Sequence, residues 1–167
     1  METNYNASMV VRRYVGCLPE NLLINSRSTD PDYETDVQRI NTILPGGGYK
    51  DGDQSPWHTA KRELYEETGL RVRPGVLPKL VHRYNASGRL HVKYYFAVSL
   101  SDCMGVLRQR AIWDGPNTRL SRPIWVYEAA AVHKALGQHG VAIWNNAEGV
   151  ILPFDRISPD LRLVKCG

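Results

Sequence analysis

Four charged residues that could do chemistry together, Arg62, Glu63, Glu66 and Glu67, fall within one short segment of the sequence. Side chains three and four positions apart share one face of a helix, so a helical segment would gather the three carboxylates into one patch. Carboxylates this close repel one another and raise each other's pKa values unless a cation neutralises them. Because carboxylate oxygens are preferred ligands of Mg²⁺ and Mn²⁺, the spacing predicts a divalent-metal site; a solvated acidic helix face is the alternative.

The sequence around these residues predicts the helix that would position them. Ser55 is a favoured capping residue and Pro56 is favoured at the first helical position, so the helix should begin here. Gly69 supplies a stop, and we expect the helix to end near Thr68. Its buried stripe, at spacings of three and four, consists of Trp57, Ala60 and Leu64. The acidic patch is therefore expected on the opposite side of the helix.

A run of glycines precedes this helix. Pro45-Gly46-Gly47-Gly48 predicts a break that neither a helix nor a regular strand would tolerate. Because glycines carry no side chains, their carbonyl and amide groups can approach a metal ion or a phosphate closely. We therefore expect this loop to pack beside the acidic helix, with Gly46 and Gly47 contacting substrate and Gly48 contributing to the metal site.

The combination resembles the Nudix box, in which a glycine is followed by five residues, a glutamate, seven residues and then Arg-Glu-aliphatic-x-Glu-Glu-x-Gly-aliphatic. The matching positions are Gly48, Arg62, Glu63, Leu64, Glu66, Glu67, Gly69 and Leu70. The resemblance implies a Nudix hydrolase in which Glu63 and Glu67 are the primary metal ligands and Glu66 is a further ligand or base. Arg62 would orient the carboxylates through charge-assisted hydrogen bonds. The metal, Mg²⁺ or alternatively Mn²⁺, would activate a water molecule for attack on a phosphoanhydride bond, and which carboxylate accepts the proton is left open.

One position departs from the box, because the family's first glutamate falls on Gln54. Reading the box from Gly47 places Asp53 there instead, at the cost of one inserted residue before Arg62. In the family this glutamate supports the site through hydrogen bonds and the motif arginine. Gln54 can accept a hydrogen bond but adds no negative charge. A non-catalytic protein that binds phosphate ligands is therefore the alternative to a hydrolase.

The substrate is predicted from charge and from similarity outside the box. The spacing of Pro45 to Gly48 before Arg62, and the segment 122–130, look like the branch that hydrolyses diphosphoinositol polyphosphates and dinucleoside polyphosphates. Such polyphosphorylated small molecules need several cations around them, which suits a net charge of +4 and a pI near 9.0. The further residues expected to bind substrate are Arg12, Arg27, Lys50, Arg89, His91, Lys93 and Arg122.

Two other substrates stay open. Capped messenger RNA is the second, because the positive balance suits RNA and Trp57, Trp113 and Tyr94 offer aromatic faces for stacking, unless they belong to the core. ADP-ribose or another nucleotide sugar is the third. It ranks last because the positive charge of the chain exceeds what a diphosphate needs.

Strand and helix patterns mix along the chain without regular alternation. The predicted elements are strands at 9–15, 21–25, 80–84, 91–100 and 124–126 and helices at 56–68 and 128–136. In the strand at 91–100, alternate residues from Val92 to Val98 should face the core and the others solvent. The pattern predicts an α+β fold, an α/β/α sandwich whose mixed sheet is flanked by helices. We expect a single domain over residues 1–167, with a core of about 9–137 and a C-terminal extension over 138–167.

Composition limits the remaining classes. The chain of 167 residues is 43% apolar and has no apolar run near the ~20 residues needed to cross a bilayer, so no membrane partner is expected. Its first residues lack the features of a secretory signal peptide, which favours the cytoplasm, although a secreted protein without its signal would look the same. The three cysteines form no Cys-x-x-Cys pair, so no zinc site is predicted, and nothing in the sequence indicates the oligomeric state.

Overall fold

The fold is known from a computed structural model that describes residues 4–28, 40–86 and 91–154. The strands are β1 (Tyr5–Val15), β2 (Leu18–Ser28), β3 (Ile40–Ile43), β4 (Gly46–Gly48), β5 (Leu70–Val72), β6 (Leu80–Ala86), β7 (His91–Ser99), β8 (Cys103–Gly105), β9 (Ile112–Trp113), β10 (Thr118–Leu120) and β11 (Ile124–Tyr127). The helices are α1 (Pro56–Thr68), α2 (Glu128–Lys134) and α3 (Gln138–Ala147).

One mixed sheet organises the domain. Its main path runs β6-β7-β1-β2-β10-β9, while β3 and β11 also pair with β2 and β4 pairs with β1. The β1–β7 pair is parallel and the other pairs are antiparallel. Helix α1 packs on one face of the sheet, and α2 and α3 pack on the other. The predicted α+β class and α/β/α sandwich are therefore confirmed.

Helix α1 has the boundaries that its sequence predicts. The Ser55 hydroxyl accepts the His58 backbone N–H at 3.1 Å, Pro56 occupies the first turn, and Gly69 ends the helix in the left-handed conformation with φ +84°. Trp57, Ala60 and Leu64 are buried against the sheet as expected. Local capping and the apolar stripe together fix the position of the acidic segment.

The glycine run is a strand rather than a break. Gly46, Gly47 and Gly48 pair antiparallel with Ser8, Ala7 and Asn6 of β1. A Cβ on Gly46 would lie 2.1 Å from the Ser8 Oγ, and one on Gly47 would lie 2.7 Å from the Glu63 carboxyl. The prediction that no regular strand would form here was wrong, because the missing side chains are what allow β4 to fit between β1 and α1.

Strand β7 is buried on both faces, which corrects the expectation of a half-buried strand. Tyr94, Phe96 and Val98 pack toward α1, whereas Tyr95 and Ala97 pack with Val81 and Ile143 on the other face. Helix α3 covers that second face. Because α3 lies in the C-terminal segment without a sequence resemblance, period-two alternation alone could not predict this burial. No helix in the described part of the chain has the length and apolar character of a membrane span.

Candidate functional site

Two of the three glutamates are buried beneath the glycine strand. The exposed fractions of Glu63 and Glu67 are 7% and 4%, and the Glu63 carboxyl lies under Gly47. Glu66 instead lies at the rim, where its side chain is 40% exposed. The expected patch on one side of α1 is therefore a layered arrangement, with two acids covered by β4 and one facing solvent.

Glu67 has the most perturbed environment in the site. Its Oε2 accepts the Gly46 backbone N–H at 3.0 Å. Burial raises the pKa of Glu67 to about 8, and the nearby charges of Glu63 and Asp114 act in the same direction. Burial also raises the pKa of Glu63, despite its contact with Arg62. Burial thus outweighs the favourable contacts of both carboxyl groups, and carboxyl groups with raised pKa values are common at functional sites.

Arg62 connects the acids to the glycine strand. Its Nη1 donates to Glu63 Oε1 at 2.6 Å and to Glu66 Oε2 at 3.1 Å, and its Nη2 donates to the Gly48 carbonyl at 2.9 Å. Hydrogen bonding to Asp53 raises the pKa of Arg62 despite its burial. Arg62 is placed where it could orient both carboxylates, and that role stays a prediction. The Gly48 oxygen contacts Arg62, so its role as a metal ligand stays a prediction.

Asp53, not Gln54, fills the position that supports Arg62. The Asp53 carboxylate accepts Arg62 Nη2 at 2.8 Å and Thr59 Oγ1 at 2.8 Å, and its side chain is 3% exposed. Burial alone would raise the pKa of Asp53, but these hydrogen bonds outweigh it and lower the pKa to about 2. Gln54 is exposed. The second way of reading the box, with one inserted residue, describes the structure.

The oxygen atoms around Glu63 and Glu67 are chemically suited to bind a divalent cation. Among the described residues, no three His, Cys, Asp or Glu side chains are close enough to enclose a metal ion in this arrangement. The buried carboxyl groups of Glu63 and Glu67 nevertheless raise each other's energy when charged, and a cation between them would relieve it. Carboxylate and backbone carbonyl oxygens from α1 and β4 are ligands that suit Mg²⁺ or Mn²⁺.

Of the predicted substrate-binding residues, Lys50 is the one that contacts this rim among the described residues. Lys50 follows β4, and its Nζ contacts Glu66 Oε2 at 3.1 Å. Lys93 is two strands away, about 10 Å, because it pairs with Asn6 and Asn6 pairs with Gly48. Its side chain lies on the sheet face of Tyr95 and acts on His139, so the structure does not bring it to the acidic side of the sheet. His91 begins the same strand, and its Nδ1 shares a hydrogen bond of 2.6 Å with the Asn4 Oδ1.

Arg27 belongs to a different part of the sheet. Arg27 pairs across strands with Arg119, and Arg119 pairs with Trp113, so the three side chains form one row on the sheet face away from α1. The Arg119 guanidinium lies 6.0 Å from the Trp113 ring centroid, and Trp113 is 58% exposed. Arg27 Nε is buried and has no hydrogen-bond partner among the residues that the structure describes. Arg122 is exposed just before β11.

Arg12 does not line the acidic site. Its guanidinium forms two hydrogen bonds of 2.7 Å with Glu128 at the start of α2. Ser8 is the last residue of β1 that pairs with β4. Arg12 lies four residues further along the strand, a distance of about 13 Å. The prediction that Arg12 lies in a strand is confirmed. Its sequence does not indicate which end of β1 lies beside the acidic residues. Arg89 falls outside the described residues.

Two groups at the far end of the acidic face were not predicted from the sequence. Arg108 Nε donates to the Glu67 backbone carbonyl at 2.8 Å, and its Nη2 donates to the Ser121 carbonyl at 2.9 Å. Asp114 contributes negative charge at Glu67. Both residues come from the irregular segment after β8, which has no periodic pattern. Of the aromatic residues considered for stacking, Trp57 and Tyr94 are in the core, whereas Trp113 is on the surface.

Comparison with known proteins agrees with this fold. The sequence profile of the NUDIX domain matches residues 10–111, more than half of the chain, and the protein therefore belongs to the Nudix family. No curated protein matches it in sequence. The match gives a family of hydrolases but not a particular branch within it.

Solved structures with the same fold are distant in sequence. The NUDIX domain of Shewanella oneidensis NrtR complexed with ADP ribose is 20% identical, with 89% of each chain covered and a TM-score of 0.60. A NUDIX hydrolase from Nitrosomonas europaea is 18% identical, covering 94% of this chain and 100% of the other, with a TM-score of 0.62. An Ap4A hydrolase from C. elegans is 18% identical, covering 88% and 97%, with a TM-score of 0.54. At these identities the likeness establishes the fold.

Proposed function

We propose that this protein hydrolyses a phosphoanhydride bond with the help of a divalent cation bound by Glu63 and Glu67. The observation that carries the proposal is the burial of these two carboxyl groups beneath a strand of glycines, with the Glu63 carboxyl within 2.7 Å of where a Gly47 Cβ would lie. A buried pair of acids without a cation destabilises the fold. Such an arrangement is expected where the charges serve a bound metal rather than stability.

Each residue around the acids has a defined part in the proposed reaction. A bound Mg²⁺, or Mn²⁺, supplies a polarised phosphoryl oxygen and a more acidic water. Arg62 keeps the Glu63 carboxylate oriented toward β4 through its 2.6 Å contact. Glu66 at the exposed rim is a further ligand or the base, and Lys50 beside it is placed to exchange this contact for a substrate phosphate.

The first substrate class is a diphosphoinositol polyphosphate or a dinucleoside polyphosphate. Lys50 lies at the exposed rim of the site, and the chain carries a net charge of +4. These charges suit a ligand with more phosphates than a single diphosphate provides. ADP-ribose and Ap4A appear in the names of structural relatives, so both belong in the substrate panel.

Product release from a parallel substrate panel tests this proposal. Diphosphoinositol pentakisphosphate, diadenosine tetraphosphate, cap analogue and ADP-ribose would each be incubated with the protein and Mg²⁺, with chelator and Glu67→Gln as controls. We expect turnover of one of the first two substrates, at least about a hundredfold lower in Glu67→Gln. Equal turnover in chelator, or no turnover of any substrate, would contradict the proposal.

Capped RNA is the second candidate, and the Trp113–Arg119–Arg27 row favours it. An exposed aromatic ring beside two guanidinium groups is suited to stack a base and bind a phosphate. If RNA is the substrate, affinity for a short capped RNA should fall steeply with added salt, and Trp113→Ala should weaken binding about tenfold. A shallow salt dependence and no effect of Trp113→Ala would argue for a small soluble substrate.

A non-catalytic binder of phosphate ligands loses its main support. The departure at Gln54 was the feature that favoured such a protein, and Asp53 supplies the missing carboxylate from the neighbouring position. Tight binding of one substrate from the panel without turnover would instead support a non-catalytic binding protein.

A further inference from the structure

A large groove lies at the far end of the central strands. It has a volume of about 1220 Å³ and is formed by the ends of β1 and β7 and by the connection at residues 73–79. Strand β1 pairs with β4 at residues 6–8 and reaches the groove at residues 12–14, some 13–20 Å further along. The groove is therefore separate from the carboxylate site.

Two cations in this groove form no ion pair with the described residues. Arg73 Nε donates to the Ser101 backbone carbonyl at 3.2 Å, and Lys79 Nζ donates to the Asn146 Oδ1 at 3.0 Å. In the described part of the chain, neither residue takes part in an ion pair. Lys79 is half-buried, so its charge is only partly compensated by water and one amide oxygen. An anionic group in the groove would compensate both.

Two other cations of the groove are already paired with carboxylates. Arg12 is paired with Glu128 at 2.7 Å and Arg13 with Glu20 at 2.7 Å. The carboxylate of Asp102 accepts both the backbone N–H and the hydroxyl of Ser99. Asp102 keeps its negative charge, so the two cations Arg73 and Lys79 exceed it by one positive charge in the groove.

The wall formed by the connection is apolar. Val76 and Leu100 pack partly buried against the core, and Leu77 is 71% exposed at the entrance. Ligand sites typically combine an apolar lining with a few placed polar groups. Inorganic phosphate would contact the cations and leave the apolar wall exposed to water. An organic phosphate would contact both the cations and the apolar wall.

We propose that this groove binds a phosphorylated organic molecule of the nucleotide class, with its phosphates at Arg73 and Lys79 and its ring system on Val76 and Leu100. The proposal does not depend on the hydrolase activity, because the groove and the acids occupy different ends of β1. The ligand would be bound there, not cleaved, since the only carboxylate lining the groove among the described residues, Asp102, is held by Ser99.

Titration of the metal-free protein tests this site separately from catalysis. ATP, inorganic tripolyphosphate and adenosine would be titrated in chelator and followed by calorimetry and by backbone amide NMR. We expect ATP to bind at least about fivefold more tightly than tripolyphosphate or adenosine and to shift amide signals at residues 97–102. No binding of ATP, or shifts confined to Gly46–Gly48, would overturn the proposal.

Variants give a second readout. The double change Arg73→Ala with Lys79→Ala should weaken ATP binding at least about tenfold, and Arg73→Lys with Lys79→Arg should retain it. The matched control is Arg71→Ala, since Arg71 is exposed two residues earlier and contacts the Tyr65 ring outside the groove. If the double variant does not fold, the amide shifts that ATP causes in the native protein still show whether ATP binds in the groove. Equal weakening by Arg71→Ala would mean non-specific charge attraction and would overturn the site.

Discussion

Arg62 and Asp53 form a buried bidentate pair, with Nε to Oδ1 at 3.0 Å and Nη2 to Oδ2 at 2.8 Å. The pair leaves Arg62 Nη1 free to hold Glu63, so the position of a predicted metal ligand depends on a carboxylate outside the expected box position. Thr59 on the same helix adds a third contact to Asp53. The loop before α1 is therefore part of the site.

Replacing Asp53 should affect both stability and turnover. Asp53→Asn leaves Arg62 buried without its charged partner, and we expect a loss of about 2–3 kcal/mol in the free energy of unfolding. Turnover should fall at least about tenfold because Glu63 loses its orientation. Chemical denaturation and steady-state kinetics measure the two effects. The matched control is Gln54→Ala, expected within about 0.5 kcal/mol of the parent; a larger effect at Gln54 than at Asp53 would reverse the assignment.

Glu67 should lower the stability of the protein when no metal is bound. Burial raises its pKa to about 8, so at pH 7.5 the folded state must hold a partly charged buried carboxylate or take up a proton. In Glu67→Gln the amide oxygen can still accept the Gly46 N–H. We expect the variant to be more stable than the parent in chelator by about 1–3 kcal/mol while turnover is lost.

Adding Mg²⁺ should reverse that order. A ligand that binds the folded state raises the unfolding temperature of the parent, whereas Glu67→Gln should respond much less. Thermal unfolding with and without Mg²⁺ gives both measurements. A parent that is insensitive to Mg²⁺ and more stable than the variant in chelator would show that Glu67 is a structural residue.

The close approach of β4 to α1 should be sensitive to one methyl group. Gly47→Ala would place a Cβ 2.7 Å from the Glu63 carboxyl, so we expect turnover to fall at least about tenfold. Gly48→Ala is the comparison, because its Cβ would lie 3.5 Å from the Asn6 Oδ1, an ordinary contact. We expect Gly48→Ala to cost less than about threefold. Similar kinetics for the two variants would mean that Glu63 does not need its place beneath Gly47.

The parts of the site that could be predicted from sequence are those with local signals. Ser55, Pro56 and Gly69 fix the ends of α1 within the helix itself, so the register of Glu63 and Glu67 follows directly. The role of Asp53 could not be chosen over Gln54 in this way. It depends on a turn in which Gly52 adopts φ +99° and the Asp53 N–H donates to the Lys50 carbonyl, and that turn absorbs the inserted residue.

The parts that could not be predicted depend on contacts distant in sequence. The spacing of Arg12 in β1 gives its strand but not its distance from the acids, which follows from pairing with β4 and contact with Glu128. The burial of Tyr95 likewise depends on Ile143 in α3, nearly fifty residues away. Charge and periodicity describe a residue's own element, whereas these outcomes depend on which element packs against it.

His139 links α3 to the segment that leads into β4. Its Nδ1 accepts the Leu44 backbone N–H at 3.2 Å, two residues before Gly46, and its ring packs edge-on against Tyr95. Burial lowers the pKa of His139 to about 4, and the nearby charge of Lys93 acts in the same direction. The imidazole must therefore stay neutral in the folded protein to accept this hydrogen bond.

The contribution of His139 to folding stability should consequently fall as the pH drops from 7.5 to 5. Between a pKa of about 4 in the folded state and about 6.5 in the unfolded state, the unfolded chain binds the extra proton, so stability rises with pH in this window. We expect His139 to contribute a loss of about 1–2 kcal/mol on going to pH 5. Glu67 acts in the opposite direction, because its raised folded pKa makes the folded state take up a proton as the pH falls. The measurement is therefore the difference in unfolding free energy between the parent and His139→Asn, which keeps an acceptor but does not titrate. That difference should shrink toward pH 5; a difference that is constant from pH 5 to 7.5 would show that His139 is not held neutral.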